Sequence, residues 1–139
     1  MAYWRLYYHI VFATKNRLPL MTPEIETQLH AYLAGKAAEL GAIVHAVGGV
    51  ADHAHMVASI PPKVAVATFV GRIKGASAHY LNHLPGREDT VFEWQRGYGV
   101  LSLGRKNLPG VVEYVRGQHE HHERGTVLHE IELVEGDEV

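Results

Sequence analysis

The chain has 139 residues, a net charge of −2 and no cysteine. This length suits one domain, and the lack of cysteine excludes disulfides and thiolate metal sites and favours a reducing compartment. There is no apolar run of about 18 residues, which excludes a membrane span, and residues 1–9 lack the order of a signal peptide. We therefore expect a cytoplasmic protein with no membrane partner.

The predicted elements alternate between strands and helices along the chain. Aromatic and β-branched runs predict strands at 4–14, 42–50, 53–60 and 97–103. Apolar residues at helical spacing predict helices at 22–41, 63–84 and 107–123. Thr22 and Pro23 are typical of a helix start, with a capping hydroxyl followed by proline in the first turn. We assign residues 1–134 to a single domain with a short extension at 126–134, and residues 135–139 to a frayed acidic tail.

The first six elements follow the order βαββαβ, which predicts an α+β, ferredoxin-like or RRM-like fold. Such a fold has one antiparallel sheet with two helices on one face, and here an additional C-terminal helix follows. The other face of the sheet is then available to a ligand, a partner or this last helix. The fold is shared by many proteins, so it indicates no function by itself.

Charge is unevenly distributed along the chain. Residues from 120 onward contain seven acidic residues and one arginine, whereas residues 1–119 contain twelve basic and eight acidic residues. A mildly basic body with an acidic tail is compatible with binding a phosphate backbone. It is weaker than the basic surface of many DNA-binding proteins, so charge alone decides little.

Histidine is unusually frequent, with eleven in the chain, and two of them form the motif Asp52-His53-Ala54-His55. In a strand, residues two apart point to the same face with Cα atoms about 6.6 Å apart. His53 and His55 could therefore bind one divalent ion, while Ala54 packs on the opposite face. An isolated pair of this kind is also consistent with one buried, hydrogen-bonded histidine and one incidental histidine.

Tyr114 and Gln118 lie one turn apart on one face of the last predicted helix. A tyrosine hydroxyl can act as a nucleophile, and a glutamine carbonyl can bind a hard cation. Taken alone, Tyr114 is far more typical of an ordinary helical tyrosine that packs on the core. His119 and His122 also have helical spacing, but a solvated helix end is the simpler interpretation of His119, His121 and His122, because histidine suits the negative end of the helix dipole.

Basic residues near predicted loops could hold phosphates, with Phe92, Trp94 and Tyr98 available to stack on bases. A solvated surface is the alternative. The candidate DNA-binding residues are Lys15, Arg17, Arg72, Lys74, Arg96, Arg105 and Lys106.

Four segments in order resemble the single-tyrosine HUH transposases of small bacterial insertion sequences, the insertion sequence 200-like type. These segments are YHIVFATKNR (8–17), DHAHM (52–56) with SIPP (59–62), FEWQRGYG (92–99) and YVRGQHEHH (114–122). The resemblance covers about residues 4–130, nearly the whole chain. The central residue of the motif, Ala54, is smaller than the usual valine or isoleucine.

The resemblance implies a reaction and its residues. His53, His55 and Gln118 would bind Mg²⁺ or Mn²⁺, and Tyr114 would cleave single-stranded DNA at insertion-sequence ends. The product would be a 5′-phosphotyrosine and a free 3′-hydroxyl, and the reverse step would rejoin strands. The resemblance also implies a homodimer with joined sheets, active sites formed within one chain or between two, and substrates with hairpins.

Two other functions remain open at this stage. One is a catalytically silent or domesticated module that binds single-stranded nucleic acid on the same fold. The other is a metal-dependent phosphoesterase that uses water as the nucleophile. A protein that only binds nucleic acid would not require His53, His55, Tyr114 and Gln118 together. A phosphoesterase that uses water would need more carboxylate ligands near the histidine pair than Asp52 alone.

Overall fold

The computed structural model describes residues 2–125, so the predicted extension at 126–134 and the tail at 135–139 lie outside the described residues. The strands are β1 (Tyr7–Ala13), β2 (Ile43–Val50), β3 (His53–Ser59) and β4 (Gly99–Leu103). The helices are α1 (Pro23–Glu39), α2 (Val66–Asn82), α3 (Leu108–Arg116) and α4 (Gln118–Arg124), and a 3₁₀ turn covers Lys15–Arg17.

The four strands form one sheet in the order β2-β3-β1-β4. Every neighbouring pair is antiparallel. This is the arrangement expected of the βαββαβ order, and the predicted fold class is confirmed. β3 lies between β2 and β1, so both of its edges are hydrogen-bonded to neighbouring strands.

The main core fills the face of the sheet covered by α1 and α2. Alternate residues of β1 and β3, including Phe12, Ala54 and Met56, contribute to it. Leu29 and Leu33 of α1 pack into the same core and are fully buried. The opposite face carries a smaller cluster in which Val57 of β3 packs against residues of α3. Strand alternation therefore directs His53 and His55 to the α3 side of the sheet.

β1 is shorter than predicted, since it starts at Tyr7 rather than at residue 4. Tyr7 pairs with Ser59, the last residue of β3. One more hydrogen bond follows, from the Ile60 N–H to the Leu6 carbonyl at 3.3 Å. Pro61 and Pro62 come next and have no N–H to donate, so the pairing stops there.

α1 begins where predicted, but its cap differs from the expectation. Thr22 occupies the N-cap position with an extended backbone, and its side chain makes no capping hydrogen bond. The Thr22 carbonyl instead accepts the N–H groups of Ile25 and Glu26 at 3.1 and 3.0 Å. Pro23 has no N–H, so the first turn contains one fewer donor that needs a capping partner. The helix therefore starts without a hydrogen bond to the Thr22 hydroxyl.

The last predicted helix is divided into two at Gly117. α3 ends at Arg116, α4 starts at Gln118, and Gly117 lies between them with φ −96° and ψ 24°. The N–H of Gly117 still bonds the Glu113 and Tyr114 carbonyls, so the two helices remain joined by a short turn. The prediction of one continuous helix was wrong, because glycine has the weakest helix preference after proline.

No helix in the described part of the chain is long and apolar enough to cross a bilayer.

Stability is expected to fall as pH decreases, in part because of His30 on α1. The Nε2 atom of His30 is buried without a hydrogen-bond partner within residues 2–125. Burial lowers the pKa of His30 below its ordinary value of 6.5, and nearby Glu26 opposes this shift only in part. The folded state then binds fewer protons than the unfolded state, so stability present above the unfolded pKa is lost as pH falls through the folded pKa.

Urea unfolding at about pH 7.5 and about pH 5.5 checks this expectation. The free energy of unfolding should decrease between the two pH values, and the decrease should be smaller in His30→Gln. The exposed His79, changed to Gln, is the matched control. Identical pH dependence in the wild-type protein and His30→Gln would contradict the assignment.

Candidate active site

His53 and His55 lie side by side on β3, on the face covered by α3. Their side chains are almost fully buried, with 4% and 0% of their surfaces exposed, and their ring centroids are 5.0 Å apart. Ala54 between them is fully buried in the main core on the other face. The strand thus presents two imidazoles in one small region of the sheet.

Each imidazole is held through its Nδ1 atom. His53 Nδ1 lies 2.7 Å from Asp52 Oδ1, and His55 Nδ1 lies 2.8 Å from His9 Nε2. The other ring nitrogens, both Nε2, are buried. Holding one nitrogen of a histidine ring is the usual way in which proteins orient the other towards a metal.

Asp52 is kept ionised by its surroundings. The hydrogen bond from His53 lowers the pKa of the Asp52 carboxyl, burial opposes this, and the charges of His53 and Arg17 lower the pKa further. An ionised carboxylate only accepts hydrogen bonds, so His53 donates through Nδ1–H. The backbone of Asp52 is fixed as well, because its carbonyl accepts the Thr14 N–H at 2.9 Å.

Tyr114 of α3 lies beside His55 within the same chain. Its side chain is 5% exposed, and its ring meets the His55 ring edge-on with centroids 6.3 Å apart. The ring of His121 from α4 covers Tyr114 at a centroid distance of 4.5 Å. The structure therefore brings together the predicted nucleophile and one predicted metal ligand.

Gln118, the first residue of α4, is 1% exposed and joins the same group. Its Nε2 donates to the Tyr114 carbonyl at 3.3 Å, and its Oε1 lies 3.2 Å from His122 Nε2. The His122 ring is in turn 4.8 Å from the His53 ring. His122 therefore connects the Gln118 amide to the His53 ring.

The donor atoms are suited to a divalent cation that keeps open positions. Two imidazole nitrogens and one amide oxygen are neutral ligands, so phosphate oxygens and water would complete the coordination. Within residues 2–125 no group of three or more His, Cys, Asp or Glu residues is arranged to hold a metal. The Gln118 amide stays the predicted third ligand beside His53 and His55.

The interpretation of the last three histidines as a solvated helix end needs correction. His119 fits it, because its mostly exposed side chain pairs with Glu26 at 2.7 Å. His121 covers Tyr114, and His122 contacts Gln118 and His53. The break at Gly117 and the contact of α4 with β2 turn these two side chains towards the sheet.

Comparison with known sequences identifies the relatives of the chain. The sequence profile of the family described as "Transposase IS200 like" matches residues 2–118, most of the chain. The chain belongs to this family. The resemblance noted in the sequence is thereby confirmed, and as a transposase the protein is a DNA-processing enzyme.

Individual relatives agree with the family profile. The transposase is 33% identical over 131 residues to the "Transposase for insertion sequence element IS200" of Salmonella typhimurium, covering 90% of this chain and 84% of that protein. It is 26% identical over 121 residues to the "ISDra2 transposase TnpA" of Deinococcus radiodurans, covering 84% of this chain and 86% of that protein.

Solved structures share the fold of the transposase. A putative transposase from Deinococcus radiodurans matches with a TM-score of 0.65 and 25% identity, covering 83% of this chain and 92% of that one. A REP-associated tyrosine transposase bound to a REP hairpin matches with a TM-score of 0.63 and 15% identity, covering 91% and 76% of the two chains. The second likeness, at this identity, concerns the fold alone.

The seven basic residues predicted to bind DNA are spread over separate parts of the transposase. Lys15 and Arg17 follow β1 at the end of the sheet that carries His53, since Ala13 pairs with His53. Lys15 pairs with Glu93 at 2.9 Å. Arg105 and Lys106 follow β4 at the opposite end, where Arg105 lines a cleft of about 580 Å³ with Tyr3 and Trp4.

The other three candidates belong to α2 and the segment after it. Lys74 donates to the Gln95 and Gly97 carbonyls at 2.6 and 2.7 Å and thereby anchors this segment. Arg96 and Lys74 line one cleft, and Arg72 lines another. A role of all seven in DNA binding stays a prediction.

Gly48 of β2 lies against the backbone of α3, the helix that carries Tyr114. This glycine was not identified from the sequence. A Cβ atom at this position would overlap the Val115 carbonyl oxygen and lie 2.9 Å from the carbonyl carbon and 3.2 Å from Val115 Cγ1. Only glycine lets the backbone of α3 approach β2 this closely. Since Val115 follows Tyr114, the contact sets the position of Tyr114 above the sheet.

Gly48→Ala is expected to destabilise the transposase by about 1–3 kcal/mol, because the methyl group would force α3 away from the sheet. Gly35→Ala in α1 is the matched control, since nothing lies within 4 Å of the added methyl group. That control should raise stability by about 0.5–1 kcal/mol. Urea unfolding measures both changes, and unchanged stability in Gly48→Ala would contradict the close approach.

Proposed function

We propose that this transposase cleaves and rejoins single-stranded DNA at insertion-sequence ends through a covalent bond to Tyr114. The observation that supports the proposal is the contact of the buried Tyr114 ring with His55, which lies beside His53 in the same chain. A module that only binds nucleic acid has no need for two buried imidazoles beside a buried phenol. Burial of such polar rings costs free energy unless their nitrogens are satisfied.

The proposed chemistry balances in one displacement. The Tyr114 oxygen attacks phosphorus, the bond from phosphorus to the 3′ oxygen breaks, and the tyrosine proton is balanced by the proton gained at the 3′-hydroxyl. The phosphate remains on the tyrosine as a 5′ ester, which conserves the bond for rejoining to another 3′-hydroxyl. Neither cleavage nor rejoining then needs ATP.

His53, His55 and Gln118 would hold Mg²⁺ or Mn²⁺ for this reaction. When bound, such a cation would act as a Lewis acid on the scissile phosphate. The hydrogen bonds of Asp52 and His9 hold the two imidazoles through Nδ1 and so orient Nε2 of each ring. His122 orients the Gln118 amide through Oε1.

A structural relative and the outer strand β4 bear on the substrate and the assembly. One structural relative was solved with a REP hairpin bound, which supports single strands with hairpins as the substrate. β4 is an outer strand of the sheet, and its Val100 and Leu101 are 38% and 40% exposed. An outer strand with exposed apolar side chains is a template for pairing, which supports a homodimer with joined sheets.

The experiment that tests the proposal is capture of a covalent adduct. The protein is incubated with Mn²⁺ and single-stranded segments taken from both sides of its coding sequence, labelled at either end. The 3′-labelled part should migrate with the protein on a denaturing gel, and the 5′-labelled part should be released with an extendable 3′-hydroxyl. Cleavage without any adduct would favour a water-using phosphoesterase, and binding without cleavage would favour the silent module.

A further inference from the structure

A third histidine, His9 of β1, lies beside His55 on the same face of the sheet. His9 and His55 are 1% and 0% exposed, and their rings stack with centroids 4.9 Å apart. His9 pairs with Val57 and His55 pairs with Val11, so the two histidines are diagonal neighbours on one face of the sheet. The pairing of β1 with β3 therefore fixes their contact.

The 2.8 Å separation of His9 Nε2 and His55 Nδ1 is a hydrogen bond with one shared proton. If His9 donates, His55 carries its own proton on Nε2, and that nitrogen has no lone pair for a cation. If His55 donates from Nδ1, its Nε2 is unprotonated and able to bind a metal. The direction of this one hydrogen bond therefore decides whether His55 can be a ligand.

We propose that His9 is a positioning residue that accepts the Nδ1–H of His55 and keeps His55 Nε2 available to a cation. The proposal rests on the metal site of the proposed function. His9 would do for His55 what Asp52 does for His53 across its 2.7 Å hydrogen bond. Unlike the Asp52 carboxylate, the His9 imidazole would do so without adding a negative charge to the site.

The alternative is that His9 only fills space beneath His55, and two variants separate these roles. His9→Phe keeps an aromatic ring that can stack but has no acceptor. His9→Gln loses the ring but offers an amide oxygen to the Nδ1–H. A packing role predicts that Phe is the better replacement, whereas a positioning role predicts that Gln is.

The first test is the tautomer of His55 in the metal-free protein, read from ¹⁵N chemical shifts of the histidine rings. The wild-type protein should show His55 protonated on Nδ1, and His9→Phe should shift the population towards protonation on Nε2. His9→Gln should keep the wild-type tautomer. Protonation of His55 on Nε2 in the wild-type protein would overturn the proposal.

The second test is Mn²⁺ binding, followed by the loss of the free-ion signal in electron paramagnetic resonance. His9→Phe should weaken binding by roughly 10- to 100-fold, the usual cost of losing such a partner, and His9→Gln should restore most of the affinity. His45→Phe is the control, because His45 lies on β2 and bonds Ser59 at the far end of β3. Circular dichroism verifies that each variant is folded.

Equal Mn²⁺ affinity in His9→Phe and the wild-type protein would overturn the role of His9 and leave the proposed function intact. Absence of Mn²⁺ binding in the wild-type protein would contradict the proposed metal site instead. The tautomer measurement would then still decide whether His9 accepts from His55, since it requires no metal.

Discussion

Tyr114→Phe is expected to abolish cleavage and covalent capture of single-stranded DNA while leaving DNA binding nearly unchanged. Phenylalanine has no oxygen to attack phosphorus, so the rate should fall by roughly 10³-fold or more. The substitution keeps the ring that packs between His55 and His121, so the site should retain its shape. Denaturing gels measure cleavage and adduct, and a mobility shift measures binding.

A second tyrosine provides the matched control for this variant. Tyr32 of α1 stacks on Tyr80 of α2 at 4.3 Å, on the helical side of the sheet. Tyr32→Phe should therefore cut at the wild-type rate. If Tyr114→Phe still forms a covalent adduct, another residue is the nucleophile, and the proposed chemistry is wrong.

Loss of either histidine of the proposed metal site is the second large effect expected. His55→Ala or His53→Ala should remove both the activity and its response to added Mn²⁺, because one imidazole and one amide cannot retain the cation. The loss of Mn²⁺ affinity should exceed the roughly 10- to 100-fold cost of losing a residue that only orients a ligand. Cleavage assayed across a series of Mn²⁺ concentrations, with Mn²⁺ binding alongside, measures both.

His79→Ala is the control for the histidine variants. His79 is an exposed residue of α2 whose ring stacks on His83 at 4.0 Å, away from the sheet face that carries His55. It should keep the wild-type response to Mn²⁺. Metal-stimulated cutting that persists in both His53→Ala and His55→Ala would exclude the pair as the metal site.

The fold was predictable from the hydrophobic periodicity of each element and from the order of strands and helices along the chain. The alternation around Phe12 and the helical spacing of Leu29 and Leu33 depend only on which face of each element is buried. The placement of His53 and His55 on one face of β3 followed from the same alternation. These inferences need no knowledge of which strand neighbours which.

Other parts of the site depend on contacts between distant elements. The contact of His9 with His55 could not be predicted from the sequence, because it requires the register of β1 against β3. Gly48 could be predicted only in part, since a glycine inside a strand indicates the close approach of another group but not that this group is the backbone of α3. The positions of His121 and His122 depend on the turn at Gly117, and one glycine in a helical pattern does not reveal where the chain turns next.

The pairing of Gly48 with His55 in neighbouring strands has a consequence for how the site is assembled. The residue that receives the tyrosine helix and the residue that would face the cation sit on adjacent strands of one hairpin, β2 and β3. Because Gly48 receives α3 and lies opposite His55, a change in the register of β2 against β3 would shift Tyr114 relative to His55.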